Sequence, residues 1–292
     1  MEVRIYPAKI LLFGEYTVLF GGQAMAIPYA KYGGRWIRNK RSKWSDLTAY
    51  FTYLREINTK LRAPLELEIL DELENHWKYE SNIPIGMGLG SSASITASVY
   101  QIAANPGPLS LIEKKADLAL IESFFHGKSS GFDPLVSFEN KCIVQSNNGI
   151  QIQDEIGQPP FSIYLIYTRI KRDAQKLINQ FRTHCENTGF RNHMEELAIA
   201  ASAMVDSFIQ KEWKTSYLHD ISALQYEHMD FLIPPEIREI WKNILNDPNN
   251  HLKLCGAGGG GCYLLFSSSG QLPNSLGNFH CERIDLGIKS SQ

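Results

Sequence analysis

The sequence predicts an α+β protein that is divided into two domains. Short segments in which apolar and polar residues alternate, as in strands, lie between longer segments with the apolar spacing of amphipathic helices. The chain has 292 residues, of which 43% are hydrophobic, so it can build a substantial core. The segment GQPP at residues 157–160 interrupts both helix and sheet, and we therefore place domains at residues 1–158 and 159–292.

The first domain is predicted to be rich in strands at its start. Apolar runs and alternation predict strands within residues 3–13, 23–29, 32–39 and 65–69. Helical spacing predicts helices over residues 45–61, behind a Ser45 N-cap, from residue 93 onward, and over 109–126. Strand patterns return at residues 141–145 and 150–153.

The second domain is predicted to begin with a strand at residues 161–168. Helices follow at residues 174–186, 193–211, 216–231 and 236–245. A second glycine cluster then lies between two apolar segments at residues 252–254 and 263–266, and a last strand is predicted at 281–286.

Composition favours small-molecule chemistry. The formal net charge is −2, so no excess of basic residues favours a nucleic acid as partner. No apolar run reaches about 18 residues, and the N-terminus lacks the regions of a signal peptide. The five cysteines are scattered without C-x-x-C spacing, which indicates reduced thiols. We expect a soluble cytoplasmic protein, monomer or homodimer, with a small-molecule substrate and no nucleic-acid or membrane partner.

The segment PIGMGLGSSAS, at residues 84–94, is typical of a phosphate-binding site. Its three alternate glycines can adopt positive φ angles, and its serine pair suits the N-cap of the helix that follows. The N–H groups and dipole of such a helix start attract an anion. The spacing fits neither the Walker A loop nor the dinucleotide-binding fingerprint. Taken alone, the segment is equally typical of a glycine-rich turn.

Two further motifs accompany this segment, PAKILLFGEYTVL at residues 7–19 and KLCGAGGGGC at residues 253–262. In this order, and across most of the chain, the three motifs resemble the GHMP kinase superfamily, and within it the mevalonate and phosphomevalonate kinases. The resemblance implies a two-domain α+β GHMP kinase fold with a ribosomal protein S5 domain 2-like N-terminal nucleotide-binding domain and a ferredoxin-like C-terminal α/β sandwich. It also implies ATP-dependent phosphoryl transfer, with ATP and Mg²⁺ as cofactors.

The resemblance assigns catalytic roles to Asp133 and Lys9. Asp133 ends the segment HGKSSGFD, which matches the family pattern HGxxSGxD, and would accept the proton of the acceptor hydroxyl. Lys9, the lysine of the first motif, would keep that carboxylate ionised. Taken alone, Asp133 is more typical of an aspartate in a turn, and Lys9 of a lysine at a strand end.

The same resemblance assigns the cofactors. Ser92 and Glu122 would supply oxygen ligands to Mg²⁺, which takes few protein ligands beside phosphate and water. Without the family, Glu122 is equally typical of an exposed glutamate on a helix. The residues expected to bind the nucleotide are Pro84, Gly86, Gly88, Leu89, Gly90, Ser91, Ser92 and Ala93.

The acceptor is expected to contact Glu15, Tyr16, Gly258 and Gly259. Tyr16 stands where mevalonate kinases have His, and tyrosine there is commoner in phosphomevalonate kinases. Our first expectation is phosphorylation of mevalonate, an isoprenoid precursor. The alternatives are phosphomevalonate as acceptor, or a nucleotide-binding regulatory homologue without catalytic activity.

Overall fold

The computed structural model describes residues 4–38 and 47–286. Its strands are β1 (Tyr6–Phe13), β2 (Ala24–Arg38), β3 (Trp77–Ser81), β4 (Cys142–Ser146), β5 (Gly149–Gln153), β6 (Ser162–Tyr167), β7 (Asn250–Leu254), β8 (Cys262–Ser267) and β9 (His280–Arg283). Its α-helices are α1 (Thr48–Ile57), α2 (Leu67–His76), α3 (Ser91–Ala103), α4 (Leu111–His126), α5 (Phe132–Glu139), α6 (Ala174–His184), α7 (Thr188–Gln210), α8 (Ser216–His228) and α9 (Pro235–Leu245). The expected Ser45 cap lies outside the described residues.

The strands form two sheets. In the first, the order is β1-β2-β4-β5, and β3 also pairs with β2. The predicted strands at 23–29 and 32–39 are one strand, β2, which pairs with β4 at its start and with β3 at its end. The second sheet has the order β7-β8-β6-β9, and each neighbouring pair is antiparallel.

The described chain divides into two compact units, and each is discontinuous in sequence. The first contains residues 4–10, 27–38, 47–85 and 89–141, and the second contains residues 11–26, 86–88 and 142–286. The chain therefore passes between the units within β1, within β2, in the glycine-rich segment and at the start of β4. The domain limits at 158 and 159 stay a prediction.

The core of the first unit is built around α3. Small residues let this helix pack closely against α4 and α5, and Ala93, Ala97 and Tyr100 are fully buried. The carboxylate of Asp117, on α4, is also fully buried. It accepts hydrogen bonds from the backbone N–H groups of Arg62 and Ala63, both at 2.9 Å, and from the hydroxyl of Tyr100 at 3.0 Å. This one side chain therefore ties α3 and α4 to the loop that follows α1.

The core of the second unit lies between its four-stranded sheet and its helices. Phe13 packs against Phe266 and Phe208, with ring centroids 5.6 and 5.9 Å apart. The buried indole of Trp241, on α9, donates to the hydroxyl of Ser222, on α8, at 2.8 Å. In the described part of the chain, no helix combines the length and apolar character needed to cross a membrane.

Three local predictions fail for a common reason. Residues 65–69 do not form a strand, because α2 begins at Leu67 and buries Leu70 and Leu73 on one face. Leu65 forms only an isolated bridge with Ala104. The strand β3 and the helix α5 were not predicted, since neither short segment carries a clear period. In each case, contacts distant in sequence decide the local structure.

Replacing Asp117 by Ala should leave two buried donors and one partly buried donor without an acceptor. We expect the free energy of unfolding to fall by about 2–4 kcal/mol, because each unsatisfied buried donor costs ~1–3 kcal/mol. Urea denaturation followed by circular dichroism measures the change. Glu56→Ala, which removes an exposed carboxylate on α1, is the control. Equal losses in the two variants would contradict the role of Asp117.

Candidate active site

The glycine-rich segment has the backbone conformation that its composition predicts. Gly86, Gly88 and Gly90 have φ angles of 79°, 81° and 80°, which residues with a Cβ rarely adopt. Gly90 itself is the N-cap of α3, and no side chain forms a capping hydrogen bond there. The prediction of a serine N-cap is therefore wrong, because the left-handed turn at Gly90 already starts the helix. The first N–H groups of α3 remain without a side-chain cap, as anion binding at a helix start requires.

Lys9 and Asp133 form an ion pair in the first unit. The Lys9 Nζ atom lies 2.7 Å from Asp133 Oδ2. The lysine side chain is 4% exposed, whereas that of Asp133 is 36% exposed. Lys9 lies on β1, and its backbone N–H donates to the carbonyl of Leu89 at 3.0 Å. The pair thus combines a buried cation with a carboxylate that solvent or a substrate can reach.

Asp133 is oriented by the start of α5. Gly131, with a φ of 73°, is the N-cap of this helix, and Asp133 lies in its first turn. The helix dipole favours a negative charge at that position. A Cβ at Gly131 would overlap the backbone carbonyl of Lys115, so the turn needs glycine for space as well as for φ.

A second polar cluster of the first unit centres on Glu122. The Ser92 hydroxyl donates to Glu122 Oε1 at 2.9 Å, and the Ser129 hydroxyl donates to Oε2 at 2.5 Å. The Ser92 Oγ and His126 Nε2 atoms are 2.9 Å apart. Glu122 lies on α4 and is only 4% exposed. The structure therefore brings Ser92 and Glu122, the two predicted magnesium ligands, into direct contact.

Burial dominates the electrostatics of this cluster. It raises the pKa of Glu122 to about 7, and the nearby charge of Asp133 acts in the same direction. Burial also lowers the pKa of His126, so its imidazole is neutral near pH 7. A carboxylate with so little stabilisation of its charge is suited to a cation as partner.

The oxygen atoms of this cluster fit Mg²⁺. Ser92 and Glu122 provide a hydroxyl and a carboxylate, and Mg²⁺ prefers such ligands together with phosphate oxygens and water. In the described part of the chain, no group of three or more His, Cys, Asp or Glu side chains is arranged to hold a metal ion. The cluster thus suits a metal that a substrate helps to bind better than a metal held by protein ligands alone.

Glu15 and Lys253 form a buried ion pair in the second unit. Their Oε1 and Nζ atoms are 2.7 Å apart, and the side chains are 2% and 3% exposed. Lys253 also donates to the carbonyl of Leu254 at 2.7 Å, and the backbone N–H of Gly256 donates to Glu15 at 3.4 Å. Burial raises the pKa of Glu15, and the charge of Lys253 opposes this shift.

Tyr16 contacts the second glycine cluster. Its hydroxyl donates to the carbonyl of Ala257 at 2.9 Å, and its ring stacks on Phe181 at a centroid distance of 4.1 Å. Tyr16 has a φ of 61°, which is uncommon for a residue with a Cβ. The stacked ring and the bonded hydroxyl therefore hold the backbone in a left-handed conformation.

The glycine turn at residues 256–261 packs tightly within the second unit. The Gly259 N–H donates to the carbonyl of Leu232 at 2.7 Å, and a Cβ at Gly258 would lie 2.9 Å from that oxygen. The Arg172 guanidinium donates to the carbonyls of Cys255 and Gly258 at 3.2 and 3.1 Å. A Cβ at Gly88 would overlap Arg172.

Residues 53–140 match the family model for the GHMP kinases N terminal domain. Mevalonate kinase from Pyrococcus abyssi is 28% identical over 295 aligned positions, which cover 88% of this chain and 85% of that protein. Residues 53–140 therefore resemble the GHMP kinases, and the similarity to a mevalonate kinase extends over most of the chain. The motif-based recognition is thereby confirmed.

Solved structures confirm the predicted fold class of the chain. The mevalonate kinase of Methanococcus jannaschii superimposes with a TM-score of 0.61 at 18% identity, covering 97% of each chain. The phosphomevalonate kinase of Streptococcus pneumoniae, solved with phosphomevalonate and AMPPNP, gives a TM-score of 0.68 at 16% identity and covers 97% of this chain and 100% of that one. At these identities, the likeness concerns the fold.

Three side chains of these clusters were not assigned from the sequence: His126, Ser129 and Lys253. His126 and Ser129 lie within the motif HGKSSGFD, and this motif could have indicated that both residues belong to the site. Lys253 begins the third motif, but a lysine within an apolar strand gives no indication of a buried carboxylate partner in a distant segment. The roles assigned to the predicted site residues stay predictions.

Glu122→Gln should change how stability depends on pH. In the native protein the raised pKa means that the folded state binds more protons than the unfolded state between about pH 4.5 and 7, so stability falls as pH rises through that window. The glutamine variant has no ionisable group at this position, so its folding stability does not fall in this way as the pH rises. We expect it to gain about 2 kcal/mol relative to the unsubstituted protein between pH 5 and pH 8.

Urea denaturation at both pH values, in buffer without Mg²⁺, measures this gain. Glu56→Gln, which changes an exposed carboxylate, is the control. If the two substitutions show the same pH dependence, the shifted ionisation of Glu122 is refuted.

Proposed function

We propose that this GHMP kinase transfers a phosphoryl group from ATP to the hydroxyl of mevalonate. The observation that carries the proposal is the 2.7 Å contact between a buried Lys9 and an accessible Asp133, which forms a base with its own countercharge. The relative from Pyrococcus abyssi, matched over most of both chains, is named a mevalonate kinase. Both supports point to an alcohol as the acceptor.

The ion pair suits Asp133 to accept the proton of an attacking hydroxyl. A general base must be within reach of the proton that it accepts and must be held in position. The Lys9 side chain is buried, and its backbone N–H is fixed on β1 by the carbonyl of Leu89. The lysine therefore orients the base as well as stabilising its charge.

The start of α3 is the proposed binding site for the ATP phosphates. Its backbone N–H groups provide hydrogen-bond donors, and the dipole of this 13-residue helix favours the negative charge. Ser92 and Glu122 would hold Mg²⁺, which neutralises phosphate charge when it is bound. Ser92 and Ser129 donate to Glu122 and keep its carboxylate in place.

Phosphomevalonate is the second candidate acceptor, and Tyr16 favours it. This residue stands where mevalonate kinases have His, and its hydroxyl donates to the carbonyl of Ala257. It is therefore engaged within the protein rather than directed to a substrate hydroxyl. The solved phosphomevalonate kinase also shares the fold, with a TM-score of 0.68.

A coupled assay of ADP release distinguishes these functions. We expect MgATP-dependent turnover with mevalonate and little with phosphomevalonate. Turnover only with phosphomevalonate would replace the first candidate by the second. Nucleotide binding without turnover on either acceptor would support a regulatory homologue, although the intact contact between Lys9 and Asp133 argues for catalysis.

Asp133→Asn should lower kcat while leaving nucleotide affinity nearly unchanged. A positioned general base contributes about 10²- to 10⁴-fold to the rate, and asparagine keeps the shape but cannot accept the proton. Steady-state kinetics and a fluorescent nucleotide titration measure the two quantities. Asp220→Asn, at an exposed position of α8, is the control. Unchanged turnover in Asp133→Asn would remove this residue from the mechanism.

A further inference from the structure

The buried ion pair of Glu15 and Lys253 has no place in the transfer chemistry described above. Both side chains are nearly inaccessible, with 2% and 3% exposed. Burial of two charges is costly, and a hydrophobic pair of the same volume often gives equal or greater stability. The pair therefore calls for an explanation other than stability.

Each member of the pair also contacts the backbone of the second glycine cluster. The Lys253 Nζ atom donates to the carbonyl of Leu254, and the Gly256 N–H donates to Glu15 Oε1. The Lys253 Nζ also lies 5.7 Å from the centroid of the Phe13 ring. These contacts surround the ammonium and the carboxylate, so neither is presented to a substrate.

Tyr16, next to Glu15, adds a second attachment to the same turn. Its hydroxyl donates a hydrogen bond to the carbonyl of Ala257 at 2.9 Å. The two neighbouring residues thus contact two neighbouring residues of the turn, Gly256 and Ala257. Tyr16 has a positive φ, so its side chain reaches the turn from an uncommon backbone conformation.

The turn at residues 255–261 contacts residues 86 and 87 of the glycine-rich segment, which belong to the same unit. A Cβ at Gly261 would lie 3.2 Å from the carbonyl of Met87 and 3.3 Å from that of Gly86. Arg172 fills the remaining space, since it donates to two carbonyls of the turn and lies against Gly88. A displaced turn would therefore displace residues 86–88.

We infer that Lys253 and Glu15 are positioning residues that fix the 255–261 turn, and through it residues 86–88 of the nucleotide-binding segment. This inference rests on the proposed function for its kinetic consequence. It replaces the expected acceptor contact of Glu15 by a role within the protein. The acceptor would then be recognised by other groups.

The test compares Lys253→Met with the double variant Glu15→Leu, Lys253→Met. The single variant leaves a buried carboxylate without its countercharge and should be less stable. The double variant replaces the pair by apolar side chains of similar volume and should recover thermal stability. It still lacks both backbone contacts, so we expect kcat/KM for ATP to stay lowered by about 10- to 100-fold, as for other small displacements of reacting groups.

Hydrogen exchange of the amides at residues 255–261 gives a readout that does not depend on activity. We expect faster exchange there in the double variant than in the unsubstituted protein. Lys211→Met, which removes an exposed partner of Glu155 in the same unit, is the matched control and should change neither exchange nor kinetics. Lys253→Arg keeps a cation beside Glu15, and we expect it to retain more of kcat/KM than Lys253→Met does.

Two outcomes decide the inference. A double variant with recovered stability, unchanged exchange and full kcat/KM would overturn it, because the pair would then be only structural. If the unsubstituted protein phosphorylates neither acceptor, the proposed function fails, and hydrogen exchange together with nucleotide affinity decides the positioning role. Faster exchange with weaker nucleotide binding supports that role, and unchanged values of both refute it.

Discussion

The first unit depends on the placement of one buried ammonium. Lys9 is 3% exposed on β1, and a cation in that position needs a compensating charge, which Asp133 supplies at 2.7 Å. A Cβ at Gly90 would lie 3.0 Å from the Lys9 side chain, so glycine at that position also makes room for the lysine. Gly90 thus packs against the same lysine that pairs with Asp133. The position of Lys9 therefore affects both the ion pair and the start of α3.

Glu122 is a buried carboxylate whose charge is poorly stabilised by its surroundings. Its carboxylate is buried on α4 and receives hydrogen bonds from two serines, yet its pKa remains raised to about 7. Hydroxyl donors do not compensate for the loss of water around a charge. Asp117, on the same helix, is fully buried but accepts two backbone N–H groups and a tyrosine hydroxyl. The first carboxylate is suited to a cation, and the second holds the core together.

In the second unit, two glycine segments share their packing. Arg172 lies against Gly88 and donates to the carbonyls of Cys255 and Gly258, so the turn and the start of the glycine-rich segment are linked through one guanidinium. Five glycines of the turn have positive φ angles, from 67° to 123°. A turn of this kind has little stiffness of its own, because glycine restricts the backbone least. Its shape must come from neighbours such as Tyr16, Leu232 and the buried Lys253.

The sequence by itself determined the resemblance to the GHMP kinases, the fold class and the residues that need glycine. Those features depend on local chemistry: alternation and helical spacing reveal strands and long helices, and only glycine readily takes the left-handed turns at Gly86, Gly88 and Gly90. Tertiary structure decided the rest. It placed residues 67–69 in the first turn of α2 and the N-cap of α3 at Gly90 instead of a serine. It also brought Glu15 into contact with Lys253, 238 positions away in the sequence. Such contacts arise from burial and packing between distant segments, and no local pattern encodes which carboxylate a buried lysine will meet.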